Sequence, residues 1–266
     1  MGMARHWTAI FVQILALLSA LAAAGCAQLT PRADPAKSKD VVLVVHGVDG
    51  AGPWYNGLVD GLRDGGVTAQ IELVNWGAPL MILPNLQMPS VHHDAENKLA
   101  GRIKLWREEH PDGRLSLIGH SGGCGVILAA LAELPGDCRV DDAVLLAPAV
   151  SPGYPLAPSL AHLNGTMYAF YSDKDQTLLN AGTSVGGTYD GVWGKSAGLK
   201  GFNDATKLAP DLQSHFQQFA YKPEWDKAGN NGDHFGWRKR QFVQQYIAPL
   251  VVGKQRDAVT TSGTGG

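Results

Sequence analysis

Leu115-Ser116-Leu117-Ile118-Gly119-His120-Ser121-Gly122-Gly123 runs from apolar residues into a Gly-x-Ser-x-Gly turn. An apolar run followed by a serine fenced with glycines is what a very sharp strand-to-helix turn requires. The serine backbone is strained there, and its neighbours must lack bulk for Oγ to stand free at the top of a parallel sheet. A hydroxyl so placed becomes a nucleophile once a histidine and a carboxylate can reach it.

Working outward, Val41-Val42-Leu43-Val44-Val45 is β-branched and lacks polar alternation, the pattern of a strand buried on both faces. It ends in the glycine-rich turn His46-Gly47-Val48-Asp49-Gly50-Ala51-Gly52, and a helix is expected from Pro53 to Asp64. Val67 to Trp76 reads as a second strand. Asp94 to Glu109 reads as an amphipathic helix, with Leu99, Ile103 and Trp106 on one face and Asp94 as its cap. Leu115–Ile118 is the third strand and Gly122–Leu134 an apolar, Ala-rich helix. Val140–Leu146 and Thr166–Tyr171 follow as strands, His215–Tyr221 as a weaker one, and Phe235–Val251 as a C-terminal helix. Strands alternating with helices imply a mainly parallel, doubly covered sheet of about six strands, an α/β architecture without a large cap domain. Sites in such sheets lie at the carboxyl ends of the strands. Residues 176–212 are glycine-rich without a clear period, an irregular loop suited to shaping a pocket.

Residues 1–25 read as a signal peptide: Arg5, then an apolar stretch from Thr8 to Ala24 ending in small residues. Ala22-Ala23-Ala24-Gly25-Cys26 resembles a bacterial lipobox, although Ala23 stands where leucine is usual. The resemblance implies lipid attachment at Cys26 and an exported, envelope-anchored protein; an ordinary secreted protein is the alternative. The expected organisation is signal 1–25, tether 26–39, catalytic-size domain 40–253 and disordered tail 254–266. Of 266 residues, roughly 240 remain after the signal, enough for one α/β domain with a deep core. A net charge of −2 shows no basic stripe, so nucleic acid is not an indicated partner. Contact with a membrane is expected only through Cys26, and nothing in the sequence specifies an oligomeric state. Cys124 and Cys138 flank a helix spanning ~20 Å, too far for a disulfide, and read as two buried thiols.

In this order the elements resemble those of an α/β-hydrolase, over nearly the whole mature chain from His46-Gly47 to the last helix. The resemblance implies an esterase- or lipase-like serine hydrolase whose residues run Ser, then Asp or Glu, then His. Ser121 is the nucleophile candidate. The acid should follow the strand Tyr168–Tyr171, where Ser172-Asp173-Lys174-Asp175 offers two carboxylates. Family placement favours Asp175, with Asp173 as the fallback and Asp190 a remote third. Of the nine histidines, His234 in Gly229-Asn230-Asn231-Gly232-Asp233-His234-Phe235-Gly236-Trp237 sits where the family places its base, and His215 is the rival. An oxyanion hole would take the N–H of Gly122 and that of Val48. His46 and His120 are expected to support these turns.

No cofactor is implied. The 47–52 turn lacks Gly-x-Gly-x-x-Gly spacing and a phosphate-loop lysine, and His92-His93-Asp94 has no partners at metal-ligand spacing. The reading is therefore an exported serine hydrolase acting on small or medium carboxylic esters. A catalytically silent binding or scaffold protein of the same fold, and an amidase or thioesterase with the same residues, are the alternatives. Trp76, Met81 and Leu83 either line an acyl pocket or pack in the core.

Overall fold

The computed structural model describes residues 35–78, 81–175, 187–203 and 207–252. The signal peptide, Cys26, all but the end of the tether, the 254–266 tail and part of the glycine-rich loop lie outside these residues. Among the described residues no helix is long and apolar enough to cross a membrane.

Six strands form one sheet: β1 Val41–Val45, β2 Gln70–Val74, β3 Leu115–His120, β4 Asp142–Leu146, β5 Met167–Tyr171 and β6 Phe216–Ala220. Their order is β2-β1-β3-β4-β5-β6, and every pair is parallel. The longer helices ahead of the C-terminal one are α1 Asn56–Asp64, α2 Ile82–Gln87, α3 Pro89–Glu109 and α4 Gly122–Ala132; single turns lie at Ala157–Leu160, Ala197–Lys200 and Pro210–Gln213.

The uninterrupted apolar run of β1 has the expected cause. Val41, Leu43 and Val45 feed one core, with Leu99, Ile103 and Trp106 of α3 and most of α4. Val42 and Val44 feed the other, with Leu58 and Leu62 of α1 and Trp237, Phe242, Val243 and Ile247 near the C-terminus. Period-two alternation thus distributes one strand between two dry layers. Each such side chain contributes about 1.5–3 kcal/mol on burial, ample to hold a strained turn at the strand ends.

Several boundaries differ from expectation. The third helix starts at Pro89, not Asp94, because proline at a first helical position needs no N–H partner. His92 and His93 therefore lie inside it, and Asp94 caps nothing. The C-terminal helix is neither continuous nor as early as Phe235. Gly236–Arg238 is a separate 3₁₀ turn, and a helix runs Arg240–Phe242, Val243–Ile247 and Ala248–Val251 with a π turn in the middle. Pro249 removes the N–H that would have continued α-type bonding, and the ladder widens just before it. Cys124 and Cys138 are both unbridged as expected, but only Cys124 is buried.

Candidate active site

The elbow begins with steric necessity. A Cβ on Gly119 would lie 3.0 Å from the backbone N of Cys124, and one on Gly123 would lie 2.3 Å from the Val45 carbonyl oxygen. The first turn of α4 thus folds back across the ends of β3 and β1, and only glycine permits it. Ser121, between them, is held at φ 55° and ψ −121°. Its N–H donates to Leu146 O at 2.9 Å, and its carbonyl accepts from Cys124 N and Ala149 N. Ala147, the first residue past β4, also has positive φ, 48°. Strain of this kind costs of order 1–3 kcal/mol per residue and persists only where the surroundings enforce it.

The loops that carry the candidate acid and the candidate base follow β5 and β6. Past β5, Asp175 is buried, and its Oδ2 lies 2.7 Å from His234 Nδ1. A carboxylate only accepts, so Nδ1 carries the proton. Asp173, the fallback, is exposed. Asp190 accepts from Ser151 N, Ser151 Oγ and Thr188 Oγ1, which ties two loops together away from His234. His215 bonds to the Gly165 carbonyl.

The run Gly229–Trp237 holds His234 by its own side chains. Buried Asn230 accepts the Gly232 N–H through Oδ1, and Gly229 and Gly232 sit at φ 82° and 84°. Asp233 Oδ1 accepts the N–H groups of Phe235 and Gly236, starting the turn beyond. A Cβ on Gly232 would meet Ser172 Oγ at 2.8 Å, so the base loop lies directly on the acid loop.

Ser121 and His234 are linked through His120, the residue before the serine. His120 Nε2 lies 2.9 Å from the His234 carbonyl, and the two rings are 4.8 Å apart. A hydrogen bond from Ser121 Oγ to His234 Nε2 is not among those formed by the described residues; such bonds are often long until substrate binds.

Val48 and Gly122 are neighbours: a Cβ on Gly122 would meet Val48 Cγ1 at 2.7 Å. Among the described residues neither N–H is spent on a carbonyl or side chain, which is what donors for an oxyanion require. Behind them His46 stacks on Trp76, with centroids 5.6 Å apart and planes 10° from parallel. Its Nδ1 donates to Gly47 O and its Nε2 accepts from Trp76 N, while Trp76 Nε1 donates to His46 O. Both ring nitrogens of His46 are therefore occupied in bracing the turn.

Trp76 is buried yet forms the inner wall of a cleft of about 530 Å³ that continues over Met81, Pro84, Met88 and Val91. Met81 lines it and is half exposed, whereas Leu83 stands outside it in solvent. Trp76 thus packs in the core and Met81 lines a cleft, whereas Leu83 does neither, contrary to both alternatives.

Spacing gave no warning of three groups. Tyr55, Asp49 and Arg238 come together at the turn that carries Val48, with Arg238 Nη1 3.1 Å from Asp49 Oδ2 across 189 positions. Asn230 is fully buried and closes the His234 loop through its side chain. His93, Glu96 and Glu133 bring ligand atoms within 4.8 Å of one another, which the reading of His92-His93-Asp94 missed because Glu133 comes from the end of α4.

Burial holds His120 well below the ordinary imidazole range, and the His234 ring and Arg238 guanidinium push the same way. Burial likewise lowers His46 and His92. These rings titrate near 6.5 when unfolded, so below that pH the unfolded chain binds more protons than the folded one. Stability is then complete above about pH 6.5 and declines as pH falls. Thermal unfolding from pH 8 to pH 5 should show Tm dropping below that point, less steeply in His120→Gln. A flat Tm profile would contradict this origin.

No protein-family model and no curated protein sequence matches the chain. Among solved structures it resembles esterase PE8, with TM-score 0.50, 14% identity, and coverage of 82% of this chain and 95% of that one. A lipase-esterase related protein from Clostridium acetobutylicum gives 0.49 and 13%, covering 81% and 96%. Lipase B of Aspergillus fumigatus gives 0.49 and 13%, covering 85% of this chain but only 54% of the lipase, about half its length. The all-parallel six-stranded sheet, covered on both faces and carrying a strained serine at its third strand, is an α/β-hydrolase fold.

Proposed function

We propose that the protein is a serine hydrolase that cleaves carboxylic esters through an acyl-enzyme on Ser121. The observation that carries this reading is the 2.7 Å pairing of His234 Nδ1 with buried Asp175, in the same site as a serine held at φ 55°. With the proton fixed on Nδ1, His234 Nε2 is free to take the Ser121 proton. Ser121 Oγ then attacks the ester carbonyl, and the N–H groups of Gly122 and Val48 receive the developing oxyanion. Collapse of the tetrahedral intermediate breaks the C–O bond, and the His234 imidazolium protonates the departing alcohol. A water repeats the sequence to release the acid and restore the serine.

Esters of small to medium acyl length are the proposed substrates; Trp76, 3.6 Å from where a Cβ on Gly122 would lie, is the residue that joins the site to the cleft carrying Met81, Met88 and Val91. The expected lipid at Cys26 would place this chemistry on the cell envelope.

A fluorophosphonate probe applied to fractionated cells tests both elements. Labelling of the full chain, absent in Ser121→Ala, supports the hydrolase reading. The labelled band should lie in the membrane fraction and move to the soluble fraction in Cys26→Ser. A chain that never labels would instead be a silent scaffold, and a native chain labelled in the soluble fraction would overturn the anchor. A series of p-nitrophenyl esters should then peak at intermediate acyl length.

A further inference from the structure

Beneath the oxyanion turn a single hydroxyl gathers groups from two separate parts of the chain, the 47–49 turn and the elbow at His120. Tyr55 is 1% exposed. Its oxygen accepts the Gly47 N–H at 2.6 Å, lies 3.1 Å from His120 Nδ1, and lies 3.4 Å from Asp49 Oδ1. This bond fixes the His46–Gly47 peptide, immediately upstream of the one that carries the Val48 N–H, whose own carbonyl, Gly47 O, accepts from His46 Nδ1 at 2.7 Å. His120 is the residue before Ser121.

The protons in this network are determined by chemistry. The His234 carbonyl can only accept, so His120 Nε2 donates to it at 2.9 Å. A neutral His120 then has an acceptor at Nδ1, and the Tyr55 O–H donates there. A chain of hydrogen bonds results: Gly47 N–H to Tyr55 O, Tyr55 O–H to His120 Nδ1, His120 Nε2–H to His234 O. It runs from the oxyanion turn, past the nucleophile, to the backbone of the base, and its ends, Gly47 and His234, lie 187 positions apart in sequence.

Arg238 closes the assembly from outside. Its guanidinium carbon sits 4.6 Å over the Tyr55 ring and 4.8 Å over Phe235, while Nη1 pairs with Asp49. The loop carrying His234 is thereby clamped onto the turn carrying Val48, with Tyr55 between them. A Cβ on Gly47 would lie 2.9 Å from Asp49 Oδ1, 3.2 Å from Ser121 Cβ and 3.3 Å from His120 Nδ1. No slack exists in which one part could shift alone.

We propose that Tyr55 is a positioning residue for the reaction, its hydroxyl setting the Val48 donor and the His234 loop in register with Ser121. The proposal rests on the serine hydrolase reading above. Small displacements of a donor or base cost far more in the transition state than in the ground state, because that is where charge and bond angles are most demanding. Loss of the hydroxyl should therefore appear in kcat and leave KM unchanged.

The test uses the full chain, with p-nitrophenyl butyrate turnover, fluorophosphonate labelling and thermal unfolding measured on each variant. Tyr55→Phe is expected to lower kcat by about ten- to a hundredfold with KM within about twofold, while the protein still unfolds cooperatively. His120→Gln breaks the same chain at its next link and provides the second variant. Because the two residues act through one network, the double variant should be little worse than the poorer single one. A Tyr55→Phe protein with wild-type kcat, a loss confined to KM, or losses that multiply in the double variant would each overturn the role of Tyr55. Those outcomes are distinct from failure of the underlying reading, in which wild type itself neither turns over ester nor labels.

Discussion

Replacing Ser121 with glycine should abolish turnover and at the same time stabilise the protein. The serine is the residue whose Oγ would form the acyl-enzyme, so kcat should fall at least ~10⁴-fold, as it does when a nucleophile of this type is removed. The stability effect has a separate cause. At φ 55° a Cβ is strained, by of order 1–3 kcal/mol, and glycine adopts that conformation freely. Part of the gain is offset by the greater entropy glycine brings to the unfolded chain, about 0.5–1 kcal/mol. A net gain near 1 kcal/mol should raise Tm by about 2–4 °C in a chain of this size. Ser121→Ala keeps the Cβ and should lose turnover without the rise in Tm. The comparison between the two variants separates the strain from the chemistry. Residual kcat above about one per cent of wild type in either variant would remove Ser121 as nucleophile. A glycine variant no more stable than the alanine variant would remove strain as a feature of the elbow.

What the sequence disclosed follows from how far each constraint reaches along the chain. The elbow is legible because Gly119, Ser121 and Gly123 impose their demands within five residues, against backbone atoms that the fold inevitably places there. β1 is legible for a similar reason: a strand dry on both faces tolerates a polar residue only where a buried partner meets it, and Val41–Val45 contains none. Family placement favours Asp175 over Asp173, but a physical difference between the two appears only when the chain closes on itself. Two aspartates two residues apart in a turn are alike until one of them meets His234 in a dry site and the other meets solvent.

Helix ends were misread where tertiary packing competed with local signals. Asp94 is an acceptable cap in isolation, but Pro89 begins the helix a turn earlier and α3 gains Val91 and His92 as inward-facing residues. Tyr55, Asp49 and Arg238 were least legible of all. Their meaning lies in a hydroxyl, a ring and an ion pair that meet only after β1, β3 and the loop past β6 have come together, and no periodicity records such a meeting.

The second large effect concerns that choice of carboxylate. Asp175→Asn should reduce kcat by roughly 10⁴-fold, the scale expected when the carboxylate behind a catalytic imidazole becomes an amide. The reason is tautomeric. Asp175 Oδ2 accepts the Nδ1 proton of His234 at 2.7 Å and so leaves Nε2 bare toward the serine side. An amide can turn its NH₂ toward Nδ1, which then must accept, and the ring proton moves to Nε2. In that form His234 cannot take a proton from Ser121. Substrate contacts are untouched, so KM should change little and the loss should lie in kcat, with fluorophosphonate labelling slowed in proportion. The fold should survive, since asparagine is nearly isosteric and its introduction removes a buried charge. Asp173→Asn, on an exposed side chain two residues earlier in the same turn, should keep kcat within about twofold of wild type, as surface changes away from a site do. An Asp175→Asn protein within tenfold of wild type, or an Asp173→Asn protein that bears the loss instead, would reassign the acid. In the second case the 2.7 Å contact in the dry site would have to be a resting arrangement that substrate binding replaces.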